Sequence, residues 1–329
     1  MKSGAKKRAA LLIGAGKIGA GYDNIATYDG PSLSHLRALQ HSVYVEHVDI
    51  VDPDEDCLAG VRGRPKVRKC STALEKQALV DPDVIVIASP TPTHAGLLSL
   101  ISEINTSDCP IICEKPATSS ATDLEIIDRL PPYFKRRIFV NYSRQWSTDH
   151  KQIGELIADQ KLGSLNFVRC VYDKGILNNG VHLIDFLRTL LGNQINLAWV
   201  GDPIFDNGAQ HPTISLKLTF GSVPVFIIGN DARNYSIFEM KFYFDGGTIE
   251  LLDSGRELVV ENPKRHSVFQ DYKILKQTTR RTTDLTSAMD KMYQEILVGD
   301  ATSNLQTAID TEEFCLQILK SHKIGSGPQ

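Results

Sequence analysis

The chain has 329 residues, a hydrophobic content of 42% and a formal net charge of −3. This length allows two domains of ordinary size, and a surface of mixed charge without long basic runs gives no reason to expect nucleic acid as a partner. Apolar runs stay below the roughly 18 residues of a membrane span, and the basic N-terminus leads into a glycine turn rather than a cleavage site. We therefore expect a soluble, cytoplasmic protein that does not bind membranes.

The six cysteines form no C-x-x-C pair and show no spacing typical of zinc sites. We therefore expect no metal site, and a reducing compartment in which all six are small buried hydrophobic residues. They are Cys57, Cys70, Cys109, Cys113, Cys170 and Cys315.

The first predicted element is a short apolar strand that runs into a glycine-rich turn. Residues 9–13 are apolar and are followed by Gly14-Ala15-Gly16-Lys17-Ile18-Gly19. In this G-x-G-x-x-G pattern the first glycine permits a tight turn, the second lets the backbone approach a pyrophosphate, and the third lets a helix pack on the strand. The pattern predicts a dinucleotide at the positive end of the following helix.

An acidic residue ends the second predicted strand. The apolar run Val43–Val51 leads directly into Asp52. A carboxylate there can bind both hydroxyls of the adenosine ribose and repels a 2′-phosphate, which favours NAD over NADP. The distance from Gly19 exceeds the usual spacing of about twenty residues, so we expect an inserted loop at Tyr22–Pro31. The alternative is that Asp52 only caps the next helix.

Three further apolar runs precede residue 145, at Val84–Ala88, Ile111–Cys113 and Ile138–Val140. Short, nearly continuous apolar runs are typical of strands buried on both faces, so this half is predicted to be an α/β domain with a doubly wound parallel sheet. Ligands bind at the carboxyl edge of such sheets, where the loop 89–94 follows a strand. Its candidate residues are Ser89, Thr91, Thr93 and His94.

Beyond residue 160 the apolar period changes to two. Ile214–Phe220 and Phe238–Phe244 alternate apolar and more polar residues, as antiparallel strands with one buried face do. A helical period returns over 285–320. We predict a dinucleotide domain at 1–144, an α+β substrate domain at 145–324 that includes these helices, and a disordered tail at 325–329.

Glu114-Lys115-Pro116 follows Ile111–Cys113 directly, so it is predicted at the same carboxyl edge. A lysine there can place its ammonium beside a substrate oxygen that becomes an alkoxide during hydride transfer. A surface lysine after a strand is also commonplace, so this placement leaves both interpretations open.

A second polar group lies on a predicted helix. His182 and Asp185 share one face at i, i+3 spacing. A neutral imidazole facing a cleft can take the hydroxyl proton of an alcohol as hydride leaves its carbon. The alternative is a structural pair of His182 with Asp185. The apolar stripe predicted for the opposite face is Leu183, Ile184, Leu187, Leu190 and Leu191.

Together these motifs resemble those of the Gfo/Idh/MocA oxidoreductases, the family of glucose–fructose oxidoreductase and inositol dehydrogenase. Glu-Lys-Pro at 114–116, joined to Gly-x-His-x-x-Asp at 180–185, is more specific than the glycine motif. The resemblance implies a Rossmann domain, followed by an open, mainly antiparallel sheet that supports a homodimer or homotetramer. It also implies that Lys115 contacts nicotinamide and substrate, and that His182 is the acid/base. The candidate cofactor-binding residues are Gly14, Gly16, Lys17, Ile18, Gly19, Asp52, Ser89, Thr91, Thr93, His94, Glu114 and Lys115.

Asn178 departs from the family pattern, which usually has an aspartate four residues before the histidine. An amide can bond a sugar hydroxyl, but it has no negative charge to hold a proton or to tune Lys115. Either His182 and Lys115 suffice for the chemistry, or turnover is weakened or lost. Asn178 can also serve as a helix N-cap.

We therefore predict an NAD-dependent oxidoreductase that oxidises a hydroxyl of a sugar, cyclitol or nucleotide-linked sugar. The catalytic candidates are Lys115, Asn178 and His182, and the substrate candidates add Arg144 and Asp185. One alternative is a non-catalytic regulatory protein of the same fold that binds NAD and a ligand. Another is a lyase or hydrolase that retains its NAD through the cycle.

Overall fold

The computed structural model describes residues 7–23, 28–80, 82–206, 208 and 211–321. The chain divides into two compact units. The first contains the chain up to Ser143 together with Thr286–Glu312, and the second contains Arg144–Leu285 and the residues that follow Glu312. The tail predicted at 325–329 lies outside the described residues.

The first unit is built on a sheet of six parallel strands. Their bounds are Arg8–Ile13 (β1), Val45–Val51 (β2), Val67–Ser71 (β3), Val84–Ile87 (β4), Ile111–Cys113 (β5) and Ile138–Val140 (β6). The order across the sheet is β3–β2–β1–β4–β5–β6, and each neighbouring pair is parallel. The order reverses between β1 and β4, which is where ligands bind in such sheets. The predicted parallel, doubly wound sheet is confirmed.

Strand β3 is absent from the sequence prediction because it is not an apolar run. It lies at the edge of the sheet, where Arg68 and Lys69 keep their side chains exposed. Charged side chains are common on edge strands, since they discourage pairing with other chains. The central strand β4 is fully buried and correspondingly easy to predict.

The helices of the two units are counted together along the chain. They are His35–His41 (α1), Glu55–Ala59 (α2), His94–Ile104 (α3), Ala121–Asp128 (α4), Pro132–Lys135 (α5), Thr148–Ala158 (α6), Val181–Leu191 (α7), Ala288–Val298 (α8) and Leu305–Ser321 (α9). None of the helices in the described ranges is long and apolar enough to cross a membrane.

The helical region 285–320 does not lie wholly in the second unit, contrary to the sequence prediction. Helix α8 belongs to the first unit, where the hydroxyl of Tyr293 lies 2.8 Å from Nδ1 of His35. The guanidinium of Arg8 also donates to the carbonyl of Leu297 at 2.8 Å. The apolar face of α8 is therefore buried against N-terminal elements, and helical periodicity alone cannot show which core a helix joins.

The second unit is built on an eight-stranded sheet. Its strands are Leu165–Tyr172 (β7), Ile195–Ile204 (β8), Thr213–Phe220 (β9), Val223–Gly229 (β10), Glu239–Phe244 (β11), Gly247–Leu252 (β12), Glu257–Arg265 (β13) and Lys273–Thr282 (β14). Their order is β14–β13–β12–β11–β7–β10–β9–β8, and the pair β7–β10 is parallel while the other pairs are antiparallel. The predicted mainly antiparallel sheet is confirmed.

The two faces of this sheet differ as the alternation predicts. On β11 the side chains of Met240, Phe242 and Phe244 are buried, while those of Lys241 and Tyr243 are partly exposed. Helix α7 is more buried than predicted, because residues on both of its faces, Asp185 included, are buried. The two-faced helix of the sequence prediction is therefore wrong for Asp185, while the side chain of His182 is partly exposed.

The cysteines are free, and four of the six are buried as predicted. The exceptions are Cys57 and Cys70, which are partly exposed. Cys70 lies on the edge strand β3, where little covers the side chains.

Candidate active site

The glycine turn after β1 has the geometry that a dinucleotide needs. Gly14 has a φ of +100°, and a Cβ there would lie 2.6 Å from the carbonyl carbon of Ala88. A Cβ on Gly19 would lie 2.1 Å from the carbonyl oxygen of Gly14. At Gly16, by contrast, a Cβ would meet no atom of the described chain within 4 Å. The turn is therefore closed on the protein side and open at its second glycine, which fits the approach of a pyrophosphate.

The helix predicted after this turn is a single π-helical turn, Lys17–Gly21. Regular α-helix begins only at His35, where the hydroxyl of Ser34 caps α1. The helix predicted directly after the glycine motif is therefore present only as this short turn.

The inserted segment separates the glycine turn from α1. Residues 24–27 of the predicted loop Tyr22–Pro31 lie outside the described residues. At its start the buried carboxylate of Asp23 accepts hydrogen bonds from the amides of Leu33 at 2.9 Å and Ser34 at 3.0 Å. Asp23 thus fixes the start of α1, a role that sequence analysis does not assign.

Asp52 links the second strand to the glycine turn. Its Oδ2 accepts from the amide of Ala15 at 2.6 Å, and its Oδ1 accepts from the amide of Asp54 at 2.8 Å. Asp54, not Asp52, is the N-cap of α2, since its carboxylate accepts from the amide of Asp56. The alternative that Asp52 caps the next helix is therefore wrong, and its carboxylate lies against the turn itself.

The loop after β4 contributes two partly exposed hydroxyls, one exposed hydroxyl and one buried ring. The hydroxyls of Ser89 and Thr93 lie 2.7 Å apart, and Thr91 starts the short 3₁₀ turn between them. His94 is buried, with Nε2 2.8 Å from the carbonyl oxygen of Ser89 and Nδ1 2.9 Å from that of Pro116. His94 therefore ties together the loops that follow β4 and β5.

Glu114 lies inside the first unit. Its Oε1 lies 2.8 Å from Nε2 of His35 and accepts from the amide group of Asn141 at 2.7 Å. Burial opposes ionisation of Glu114, but the hydrogen bond and charge of His35, with Asn141 and Lys115, hold the pKa of Glu114 below its ordinary value. The side chain is thus held by other protein groups.

Lys115 is partly exposed and directly follows Glu114 at the carboxyl edge. Its peptide bond to Pro116 is cis. The two residues that follow, Ala117 and Thr118, bind the buried carboxylate of Glu312. Lys115 therefore extends from a segment whose main chain is held on both sides.

Sequence analysis missed His35, Asn141 and Glu312, which bind this segment, and Tyr293, which binds His35. A usable signal existed for Glu312. It lies on the buried stripe of α9, four residues after Ala308 and three before Cys315, where an apolar residue is the normal choice. A charged residue at a core position requires partners, although the sequence does not say which.

In the second unit, a π-helical turn at Ile176–Gly180 precedes α7. It carries Asn178, which is partly exposed, as is His182 in the first turn of α7. Gly180 occupies the N-cap position of α7, so the alternative role of Asn178 as a helix N-cap is wrong.

Asp185 and Arg144, both predicted to contact substrate, are buried against protein partners. The Asp185 carboxylate accepts hydrogen bonds from Nε2 of Gln145 at 2.8 and 2.9 Å. The Arg144 guanidinium lies 3.9 Å from the ring centre of Phe238 and donates to the carbonyl of Ser254 at 2.8 Å. Burial lowers the pKa of Arg144 to about 9. Both side chains serve the interior of the second unit.

The first unit thus has an open glycine turn, an acid that braces it and a lysine at the same sheet edge. This combination is typical of oxidoreductases that bind a dinucleotide on a Rossmann fold. Residues 9–142 match the Gfo/Idh/MocA family, described as "Oxidoreductase family, NAD-binding Rossmann fold". Over this segment the chain is similar to that family, and the predicted Rossmann fold of the first unit is confirmed.

Similar proteins include two inositol 2-dehydrogenases. The chain is 28% identical over 233 residues to the one from Rhodococcus jostii, which covers 66% of this chain and 60% of that protein. It is 26% identical over 283 residues to inositol 2-dehydrogenase 3 from Saccharopolyspora erythraea, a match that covers 80% of this chain and 78% of that protein. The chain thus spans less than two thirds of the Rhodococcus protein.

The fold is also similar to a solved oxidoreductase from Agrobacterium radiobacter in complex with NAD+, L-tartaric acid and magnesium. The TM-score is 0.70 at 14% sequence identity, and the match covers 97% of each chain. The likeness therefore extends to both units, beyond the segment matched by the family.

Proposed function

We propose that this protein is an NAD-dependent dehydrogenase that oxidises a hydroxyl of a sugar, cyclitol or nucleotide-linked sugar. One observation carries the proposal: His94 joins the carbonyls of Ser89 and Pro116. Because Ser89 lies against Gly14 of the glycine turn, the segment that bears Lys115 is fastened to the cofactor edge of the sheet. The names of the relatives support oxidation of a cyclitol-like hydroxyl.

The first unit would hold the cofactor. The open backbone at Gly16 fits the pyrophosphate, with the amides around Lys17 and Ile18 as donors. Asp52 would bind the adenosine ribose while it braces Ala15. Ser89, Thr91 and Thr93 would line the nicotinamide end, and the buried Glu114 and His94 would support the two loops from inside.

When bound, NAD supplies a nicotinamide ring that accepts a hydride. The Lys115 ammonium would stabilise the negative charge that develops on the substrate oxygen. Nε2 or Nδ1 of neutral His182 would accept the hydroxyl proton as the C–H bond breaks. Asn178 would hydrogen-bond a neighbouring hydroxyl and orient the carbon that loses hydride. Arg144 and Asp185 have no direct role in this proposal.

The test measures NADH absorbance with wild type on a panel of myo-inositol, glucose and UDP-glucose. We expect turnover on at least one of them. Lys115→Met should lower kcat/KM by roughly a hundredfold or more with NAD binding nearly intact, the scale of losing one preorganised charge. Lys69→Met, an exposed lysine on β3, is the matched control and should change neither.

Three results would count against the proposal. Wild type that yields no NADH on any panel member, across pH 6 to 10, would favour the non-catalytic alternative. Ordinary turnover in Lys115→Met would remove Lys115 from the chemistry. A third result is product formation without net NADH, while mass spectrometry detects tightly bound NAD. It would point instead to a lyase or hydrolase.

We further propose that a second copy of the chain covers the outer face of the eight-stranded sheet. This face exposes Trp199, Phe226 and Ile228. Beside them Phe167 stacks on Tyr243, with the ring centres 4.2 Å apart. Lys241 forms ion pairs with Glu250 and Glu261. Apolar side chains among satisfied ion pairs suit a homodimer or homotetramer. Light scattering of wild type and Trp199→Glu tests this, and a monomeric wild type would refute it.

The six free cysteines support a cytoplasmic location, where thiols stay reduced. Thiol titration of protein purified without reductant should give six free thiols after unfolding. A disulfide found in such protein would argue against this location.

A further inference from the structure

The buried carboxylate of Glu312 is the centre of a hydrogen-bond cluster. This cluster binds the main chain just after Lys115. Its Oε1 accepts from the amide of Ala117 and from the hydroxyl of Tyr142, both at 2.8 Å. Its Oε2 accepts from the amide and from the hydroxyl of Thr118, again both at 2.8 Å. Two main-chain amides and two hydroxyls thus converge on one side chain, from the segments that follow β5 and β6.

We propose that Glu312 is a positioning residue that fixes the main chain after Lys115, so that the lysine ammonium keeps its place at the cofactor edge. This inference rests on the proposed function, because the placement of Lys115 matters only if Lys115 takes part in the reaction. Glu312 itself touches neither substrate nor cofactor in this account.

The geometry explains why the carboxylate acts at this point. The amides of Ala117 and Thr118 lie two and three residues after Lys115, and an amide can only donate. The Ala117 amide donates to Oε1 and the Thr118 amide donates to Oε2 of the same planar carboxylate. The two hydrogen bonds therefore fix both the position and the orientation of the main chain. On the other side of Lys115, Glu114 is held by His35 and Asn141.

Stability alone does not account for a carboxylate here. Glu312 is fully buried, and burial raises its pKa to about 7 although the hydrogen bonds favour its ionised form. An apolar side chain at a core position of α9 would avoid that desolvation. Desolvation opposes this carboxylate, yet the carboxylate binds two main-chain amides of the segment after Lys115. We therefore attribute the glutamate to the position of that segment rather than to the stability of the core.

The experiment compares Glu312→Gln with Glu313→Gln. Glu313 is the next residue on α9 and is exposed, so its variant is a matched control of the same chemistry. In Glu312→Gln an NH2 group replaces one carboxylate oxygen and faces hydrogen-bond donors. The hydrogen bond from either Ala117 or Thr118 is then lost. We expect hydrogen exchange of the peptide 115–120 to accelerate in Glu312→Gln and to stay at the wild-type rate in Glu313→Gln.

Kinetics on the panel sugar that wild type oxidises best give the second readout. We expect kcat of Glu312→Gln to fall between about tenfold and a hundredfold, the effect of a misplaced catalytic group. The dissociation constant for NAD should stay within about twofold, since the glycine turn and Asp52 are untouched. A merely structural role would change stability without this separation of kcat from NAD affinity.

If Glu312→Gln does not fold, Tyr142→Phe and Thr118→Val each remove one hydroxyl donor and retain the carboxylate. Each should speed exchange of peptide 115–120 and lower kcat severalfold, with NAD affinity unchanged. Wild-type kcat in variants whose exchange is faster would overturn the inference, as would unchanged exchange.

The outcome separates this inference from the proposed function. If wild type makes no NADH on the panel, the proposed function fails and the catalytic consequence of Glu312 fails with it. If wild type is active and Glu312→Gln is equally active, only the positioning inference fails.

Discussion

The Nε2 atom of His35 lies 2.8 Å from Oε1 of Glu114, although 79 residues separate them in the chain. The other ring nitrogen of His35 lies 2.8 Å from the hydroxyl of Tyr293 on α8. His35 is fully buried, so the glutamate before Lys115 is held by an imidazole that is itself held by a C-terminal helix. Three distant parts of the sequence thus meet behind the candidate site.

This contact makes a prediction about stability. Replacing His35 by Leu leaves the Glu114 carboxylate buried without its imidazole, and we expect unfolding free energy to fall by about 3 to 5 kcal/mol, the usual loss for one partner of a buried pair. Urea unfolding at pH 7 measures it. His41→Leu is the control, since half-exposed His41 lies 3.9 Å from Asp290 and should contribute less than about 1 kcal/mol. Equal losses in the two variants would contradict the assignment.

Asp52 should control both affinity and choice of cofactor. Asp52→Ala removes the proposed ribose acceptor and leaves the Ala15 amide unsatisfied, so NAD affinity should fall by about one to two powers of ten. Discrimination against NADP should relax with the loss of the carboxylate charge. Calorimetry of both cofactors checks this, with Asp54→Ala as control, where we expect only the loss of the α2 cap. Equal NAD affinity in Asp52→Ala and wild type would place the ribose elsewhere.

Asn178 should tune the acid/base step. Asn178→Ala should lose activity, because a hydrogen bond to substrate is removed. Asn178→Asp should keep much of it, with the pH–rate profile moved to higher pH as the new carboxylate favours the charged imidazole of His182. Profiles of kcat/KM against pH for the three proteins decide the matter. NADH formation by Asn178→Asp alone would show that the natural chain is a binding protein.

His150 should make the second unit sensitive to acid. Burial lowers the pKa of His150 to about 4 from 6.5, and its neutral ring lies with Nε2 2.9 Å from the carbonyl oxygen of Gly255. Because the folded pKa is depressed, the stabilisation is complete above pH 6.5 and is lost as pH falls towards 4. Unfolding free energy should fall by up to about 3 kcal/mol over this range.

Urea unfolding at a series of pH values tests this. In His150→Gln the fall between pH 6.5 and 4 should be smaller by that amount. The exposed His211 is the control, and His211→Gln should retain the wild-type slope. If His150→Gln also retains it, other groups cause the acid sensitivity.

Several features could be predicted from the sequence because they depend on neighbours in the chain. The glycine turn is one, since the positive φ of Gly14 and the close contact of Gly19 with the carbonyl of Gly14 arise within the turn itself. The strands β4 and β5 are others, because burial on both faces requires unbroken apolar runs. The alternation on β9 and β11 fixed the second sheet in the same way.

Only the tertiary structure decided which groups hold the site. The segment around Lys115 is bound by His35 of α1 and by Glu312 of α9, and the latter is 195 residues away from the Ala117 amide. Periodicity shows that Glu312 lies on a buried stripe, but it does not show which groups donate hydrogen bonds to the carboxylate. Likewise it placed Asp185 on a polar face, although Gln145 lets that carboxylate be buried. A buried charge depends on partners that three-dimensional packing supplies, and local sequence carries no record of them.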